Sequence, residues 1–334
     1  MKMDKDTRKE FLHVKKDAIV NGKGEKVKLR GFCLGGWMNM ENFITGYPGH
    51  ESGFRATMKS VLGKERAAFF FERYLHYFIQ PEDLRFIKEL GCNLIRIPLN
   101  YHHFEDDDRP FEYKETGFIL LDQVVRWARA LKLYVILDLH AVQGCQSHGW
   151  HCDNPGGEPR FWGQKQFEDR AVALWEQFAH HYKNEAWVAG YNLMNEPEAE
   201  DAGWLNHYYS RVTDAIRRID TRHILFLEGN HYSQQFEELD PPFDANTVYS
   251  SHNYVEPMDA QYPGMVNGEP FNRGRLERDY RSRAAFILRH GRPNWVGEFG
   301  CIYENKALNE SNLQVMSDMI DIIEGFGHHW SIWT

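Results

Sequence analysis

The sequence predicts a (β/α)8 (TIM) barrel built as a single catalytic domain over residues 1–334. Two observations carry this. Eight short, apolar, β-branched runs recur along the chain, and amphipathic helical patterns separate most of them, the alternation of a parallel barrel. A third is negative. No Pro/Gly/Ser linker, low-complexity tract or fixed-period repeat divides the 334 residues, a length that α/β barrels reach as one domain.

The first strand is expected within "VKLRGFCLGGW" (Val27 to Trp37), after a turn at "NGKGEK" that reads as a small hairpin. A long stretch follows, Met38 to Gln80, read as a barrel-mouth insertion with an aromatic helix, "KERAAFFFERYLHYFI". That helix either walls one end of a cleft or packs as a satellite. "PEDLRFIKELG" then opens on Pro81 and closes on Gly91, the usual start and stop signals of a helix. Strands two and three are "NLIRIPL" and "LYVILDLH", with "LLDQVVRWARALK" between them. Strand four is "VAGYNLMNEP", after "FEDRAVALWEQFAHHYK". Strand five is "HILFLEGN", after "WLNHYYSRVTDAIRRID". Its link to strand six, "TVYSSHNY", is short and weakly helical ("SQQFEEL"). "RLERDYRSRAAFILRHG" leads to strand seven, "NWVGEFG", and "LQVMSDMIDIIEGFG" to strand eight, "HHWSIWT". The pattern ends there, so no eighth helix is expected, as in a chain trimmed at its C-terminus.

Composition narrows the partners. A net charge of −9 and a pI near 6.0 argue against a polyanion such as nucleic acid. No run is apolar enough to span a membrane. The N-terminal twenty residues are charged and lack a signal peptide's apolar core. With five cysteines, an odd number, this leads us to expect reduced thiols and a cytoplasmic setting, a secreted mature form remaining open.

In such a barrel the chemistry gathers where strands end. Strand two offers Arg96, strand three His140, strand four Asn195 and Glu196, strand six His252 and Tyr254, strand seven Glu298, and strand eight Trp333. Taken singly, each has a structural explanation: a buried ion pair, a core histidine, a packing tryptophan. Together they place two carboxylates, Glu196 and Glu298, across one mouth. Glycoside hydrolysis needs such a pair, one to protonate the departing oxygen and one to stay ionised and attack the anomeric carbon. Arg96 and His252 suit the task of keeping Glu298 ionised, and Tyr254 of hydrogen-bonding it. Asn195 is placed to donate to the sugar 2-hydroxyl, and Trp333 to floor the ring. This chemistry calls for a glycoside or oligosaccharide as partner and for neither metal nor organic cofactor.

The motifs "NEP" and "GEFG", with "IRIP", "LDLH", "HNY" and "IWT", resemble glycoside hydrolase family 5, the cellulase family, from Arg30 to Thr334. The resemblance implies Glu196 as general acid/base, Glu298 as nucleophile and a retaining mechanism, with carboxyls roughly 5 Å apart. "LGGWMNMENFITG" and "LDLHAVQGCQSHGWHCDN" are similar to segments of the family's exo-β-1,3-glucanases and β-glucosidases. On that resemblance Glu41 binds the non-reducing-end sugar, Phe43 stands where a tryptophan is usual, and Gln143 and Asn154 lie near the site. It implies exo action on β-glucosidic bonds, leaving open β-mannosides, β-1,4 linkages, an endo-acting cleft and, furthest, a barrel that binds sugar without cleaving it. Trp37, Trp150, Trp162 and Trp204 are candidate stacking platforms.

"CQSHGWHC", Cys145 to Cys152, holds two cysteines and two histidines in eight residues. Structural zinc sites usually pair ligands distant in sequence, so free thiols are expected, with a labile disulfide as the alternative if the protein is exported.

Overall fold

The computed structural model describes residues 11–255, 260–301, 307 and 309–334. Eight parallel strands close into a barrel: β1 (Arg30–Cys33), β2 (Leu94–Asn100), β3 (Tyr134–Ala141), β4 (Val188–Asn192), β5 (Ile224–Glu228), β6 (Thr247–His252), β7 (Asn294–Glu298) and β8 (His329–Ile332). Each pairs with its sequence neighbours, and β8 pairs with β1 to close the ring.

Around it lie α3 (Pro81–Glu89), α4 (Glu115–Leu131), α5 (Lys165–Tyr182), α6 (Ala202–Arg217), α7 (Arg273–Arg283) with its short continuation α8 (Ala285–His290), and α9 (Asn309–Gly325). Between β1 and α3 sit α1 (Glu51–Leu62) and α2 (Lys64–Tyr77). Helix α3 starts as its sequence suggests, with Pro81 in the first turn and the Gln80 N–H donating to the Asp83 carboxylate (2.7 Å). After β5 there is only a four-residue turn, Asn230–Ser233, whose His231 and Tyr232 are not helical.

The strand alternation builds the barrel in layers. Leu94, Ile136, Ile224, Phe226, Val248 and Trp295 fill its floor, and Leu12 and Ile19 from an N-terminal hairpin (His13–Lys15 with Ala18–Val20) pack against them. The "NGKGEK" turn follows that hairpin and closes a single Val20–Lys26 bridge. One step up each strand, the inward positions become charged: Arg96, Asp138, Glu228 and His252, all buried. A register shift between Ser251 and His252 sets His252 opposite Glu298 instead of Gly297, the re-aiming that an irregular register achieves next to a site.

The insertion packs through its aromatics. Phe54, Phe70, Phe71, Tyr74 and Phe78 form a chain of ring contacts with centroids 4.9–6.3 Å apart. The aromatic helix therefore spends most of its rings on packing. The insertion is tied to the β1 loop by the Tyr74 hydroxyl donating to the Gly36 carbonyl (2.6 Å) and the Trp37 indole N–H donating to the Leu75 carbonyl (2.8 Å).

Candidate active site

Glu196 and Glu298 meet over the charged layer. One oxygen of each, with a ring nitrogen of His252, lie within 4.8 Å of one another. Glu298 is gripped on both oxygens: Arg96 donates to Oε1, and the Tyr254 hydroxyl donates to Oε2 at 2.9 Å. Burial pushes its carboxyl up, but the charges of His252, Arg96 and His140 outweigh this and hold it below the usual carboxylate range.

Arg96 lies within β2, not at its exit. It reaches up from the barrel interior, fully buried, and also meets Asp138 (3.1 Å), Glu228 (3.4 Å) and the Asn195 side-chain oxygen (2.7 Å). Its single fixed charge can serve several carboxylates because the guanidinium carries donors in a rigid fork.

Glu196 follows β4 with a φ of 42°, a left-handed conformation that non-glycine residues rarely adopt. Its N–H donates to the Glu228 carboxylate (2.7 Å). The neighbouring Asn195 carbonyl accepts from the Gln146 side-chain amide (2.8 Å), which also bonds the His140 carbonyl (2.7 Å). Pro197 then restricts the exit. The two carboxyl oxygens of Glu196 have different neighbours. Oε1 is 2.7 Å from His252 Nδ1, and Oε2 is 3.5 Å from His151 Nε2. Burial raises this carboxyl; the hydrogen bond and charge of His252, and then His151, bring it below its ordinary range, against opposition from Glu298. His252 itself is burdened by burial, yet Glu228, Glu298 and Glu196 hold its imidazole well above the usual histidine value.

His140 is similarly a cation: burial disfavours the charge, but Asp138, bonded to Nδ1 at 2.7 Å, drives it up to about 10. Both ring nitrogens then carry protons. Nε2 faces Glu41 at 3.3 Å and cannot accept from the Asn195 side-chain nitrogen, also 3.3 Å away. Trp333 lies on the His140 ring, 5.1 Å between centroids and 14° from parallel. Glu41 thus joins the constellation. The loop before it is tied by the Met40 N–H donating to Glu51 (3.1 Å), a buried carboxylate that Arg55 and His103 hold low against its burial.

The other buried candidates bond to neighbouring protein groups. Trp37 is buried in the joint with the insertion and presents no open face. Gln143 is fully buried and donates to Glu105 (2.7 Å), which pairs with Arg170. Asn154 donates to the Ser147 carbonyl (2.8 Å) and holds its own loop. The N–H groups of all three are spent on the protein, while the buried Gln143 Oε1 has no partner. Trp162 is buried with its N–H on the Gln146 carbonyl (2.9 Å), whereas Trp150 and Trp204 are exposed. The cysteines and histidines of "CQSHGWHC" do not converge. Cys145 and Cys152 are buried free thiols beside one another, His148 turns to Glu198, and His151 turns to Glu196. Among the described residues, the one His/Cys/Asp/Glu group close enough for a shared ion is Glu196, His252 and Glu298.

Three residues absent from the strand-exit reading belong to the cluster: Glu228, Asp138 and His151. Glu228 ends β5 in "FLEGN", so the rule that found Glu298 also points to it. Asp138 is two residues before His140 on the same inward face. His151 sits in a loop whose shape no sequence pattern announces.

Residues 54–334 match the profile of the cellulase family (glycosyl hydrolase family 5). The chain is 40% identical over 334 residues to a β-xylosidase of Phanerodontia chrysosporium, covering 97% of this chain and 70% of that protein. A probable glucan 1,3-β-glucosidase A of Aspergillus clavatus is 33% identical over 208 residues, 60% of this chain and 49% of that protein. The crystal structure of Thermotoga maritima Cel5A in complex with mannotriose superposes with a TM-score of 0.67 at 19% identity, covering 92% of this chain and 90% of that one. No helix among the described residues is long and apolar enough to cross a membrane.

Proposed function

Since the chain belongs to glycosyl hydrolase family 5 and is a glycosidase, we propose that it cleaves β-glycosides by double displacement with retention, taking one sugar at a time from a chain end. The observation that carries the mechanism is the approach of the two carboxyls to within 4.8 Å. Retaining enzymes keep their carboxyls about 5–5.5 Å apart, whereas inverting ones leave about 6.5–9.5 Å for a water.

Glu298, ionised and fixed by Arg96 and Tyr254, attacks the anomeric carbon while Glu196 passes a proton to the departing oxygen. The glycosyl ester on Glu298 is then attacked by water, Glu196 takes the water's proton, and the ester bond breaks to restore the Glu298 carboxylate. In the open site Glu196 is held ionised. A glycoside entering between the carboxyls expels water, and loss of solvent favours the neutral acid. The proton belongs on Oε2, because His252 occupies Oε1. Asn195 donates to the 2-hydroxyl, and Trp333 lies under the ring.

Chain-end action is supported by Glu41, a buried carboxylate at 3.3 Å from His140 that can accept hydrogen bonds from a terminal sugar's hydroxyls. The β-glucosidic bond remains the leading substrate. The 40%-identical relative is named a β-xylosidase, and xylose has the equatorial 2-, 3- and 4-hydroxyls of glucose, so β-xylosides form the second reading.

Incubation with laminari-, cello-, manno- and xylo-oligosaccharides, followed by chromatography, tests this reading. A single sugar released stepwise from the gluco- or xylo-series is expected. A spread of shorter oligomers overturns chain-end recognition by Glu41.

A further inference from the structure

His151 is nine-tenths buried, yet its Nε2 has no hydrogen-bond partner. It is aimed at Glu196 Oε2, at 3.5 Å, the oxygen that His252 leaves free. A buried, unpaired ring nitrogen is costly and needs an explanation.

The loop around it is built to hold this aim. The His151 carbonyl accepts from the Asn39 amide (3.0 Å). The next residues are anchored by Asp153, which accepts from the Ser52 N–H (2.8 Å), the Ser52 hydroxyl (2.7 Å) and the Asn100 amide (3.0 Å). The Cys152 sulfur lies 3.1 Å from both the Ser147 and the Gly149 carbonyl oxygens, either of which can accept its single S–H. Gly149 has ordinary extended backbone (φ −74°, ψ 162°). It is glycine because of the ring: a Cβ there would lie 2.5 Å from both Cε1 and Nδ1 of His151. The chain has given up a side chain to seat this imidazole.

We propose that His151 is a positioning residue for the acid/base: it holds Oε2 of Glu196 where that oxygen takes the proton of the incoming water. This rests on the double-displacement reading above. The acid/base then has His252 hydrogen-bonded to Oε1 at 2.7 Å and His151 facing Oε2 at 3.5 Å without a hydrogen bond, so that Oε2 stays open to the proton. Around His151 stand Glu196, the His140 ring (6.0 Å between centroids) and the Tyr232 ring (6.1 Å). Around Glu196 stand His252, His151, Glu298, Tyr232 and Tyr254, with Glu228 on its backbone. His151 is among the groups that lower the Glu196 carboxyl. Its removal therefore raises that carboxyl, and the alkaline limb of kcat/KM, which follows loss of the acid's proton, moves to higher pH.

The test uses an aryl β-glycoside with an activated leaving group, for which breakdown of the glycosyl ester limits turnover. His151→Ala should lower kcat about tenfold to a hundredfold. Azide should restore turnover, because it attacks the anomeric carbon without needing a base, breaking the C1–O bond to expel the Glu298 carboxylate and leaving a glycosyl azide. His151→Gln, which keeps a donor, should lose less. Gly149→Ala should reproduce the loss with His151 still present, and should add nothing to His151→Ala. Wild-type kcat and pH profile in His151→Ala overturn the proposal. A loss that azide does not restore, with KM raised, also overturns it, since that marks a binding or loop-shaping role. Glu196→Ala assayed alongside separates the two levels. If azide fails to rescue that variant, the acid/base assignment itself falls.

Discussion

Glu228 shows how one side chain can set the state of a whole site. It takes the backbone N–H of Glu196 at 2.7 Å, faces His252 Nε2 at 3.4 Å and faces Arg96 at 3.4 Å. Left-handed backbone at a non-glycine residue costs on the order of 1–2 kcal/mol and persists only where surroundings hold it; at Glu196 this carboxylate is one holder. It is also the leading charge that keeps His252 protonated against its burial. Glu228→Gln preserves shape and an accepting oxygen but removes the charge. His252 should then lose its proton at lower pH, and the support it gives both Glu196 and Glu298 weakens. We expect kcat to fall about 10²-fold with KM changed much less, read from Michaelis curves across pH. An unaltered kcat would remove Glu228 from the machinery.

Elements differed in how openly they declared themselves. The strands and most helices were legible because each follows one local rule, period two or period 3.6, and their ends carry Pro and Gly signals. The long helix expected before β7 instead divides into α7 and α8 near Ala284. At the site, Arg96, His140, Asn195, Glu196, His252, Tyr254, Glu298 and Trp333 meet because strand direction sends them to one mouth, whereas Glu41, expected only from the family resemblance, reaches His140 from the loop after β1. The polar groups of Trp37, Gln143 and Asn154 turn to Leu75, Glu105 and Ser147, since side-chain aim inside a loop depends on partners that the local sequence does not name. His151 was missed for the same reason. The β1 loop offers the test at this scale. Gly36 has φ 81°, and a Cβ there would stand 2.4 Å from Ile44 Cγ2 and 2.9 Å from Phe78 Cζ. Gly36→Ala should displace the turn that leads to Glu41, raising KM for oligosaccharides several-fold and lowering Tm by several °C, with kcat less affected. An unchanged KM would detach Glu41 from substrate binding.

The whole molecule assigns its layers distinct tasks. An apolar floor, sealed by the N-terminal hairpin, supports a buried charged layer, and that layer holds the two carboxyls at the mouth. The charged layer is expensive to bury and is satisfied mainly by itself: Arg96, His140 and His252 are set against Asp138, Glu228 and Glu298. Such an arrangement makes little sense for stability alone and good sense for keeping one carboxylate ionised within reach of another. The central claim is that their close approach dictates retention. Proton NMR of a β-glycoside hydrolysis, recorded from the first seconds before mutarotation, tests it most directly. The β anomer should appear first and the α anomer only later; an α anomer formed first would mean inversion and would contradict the account.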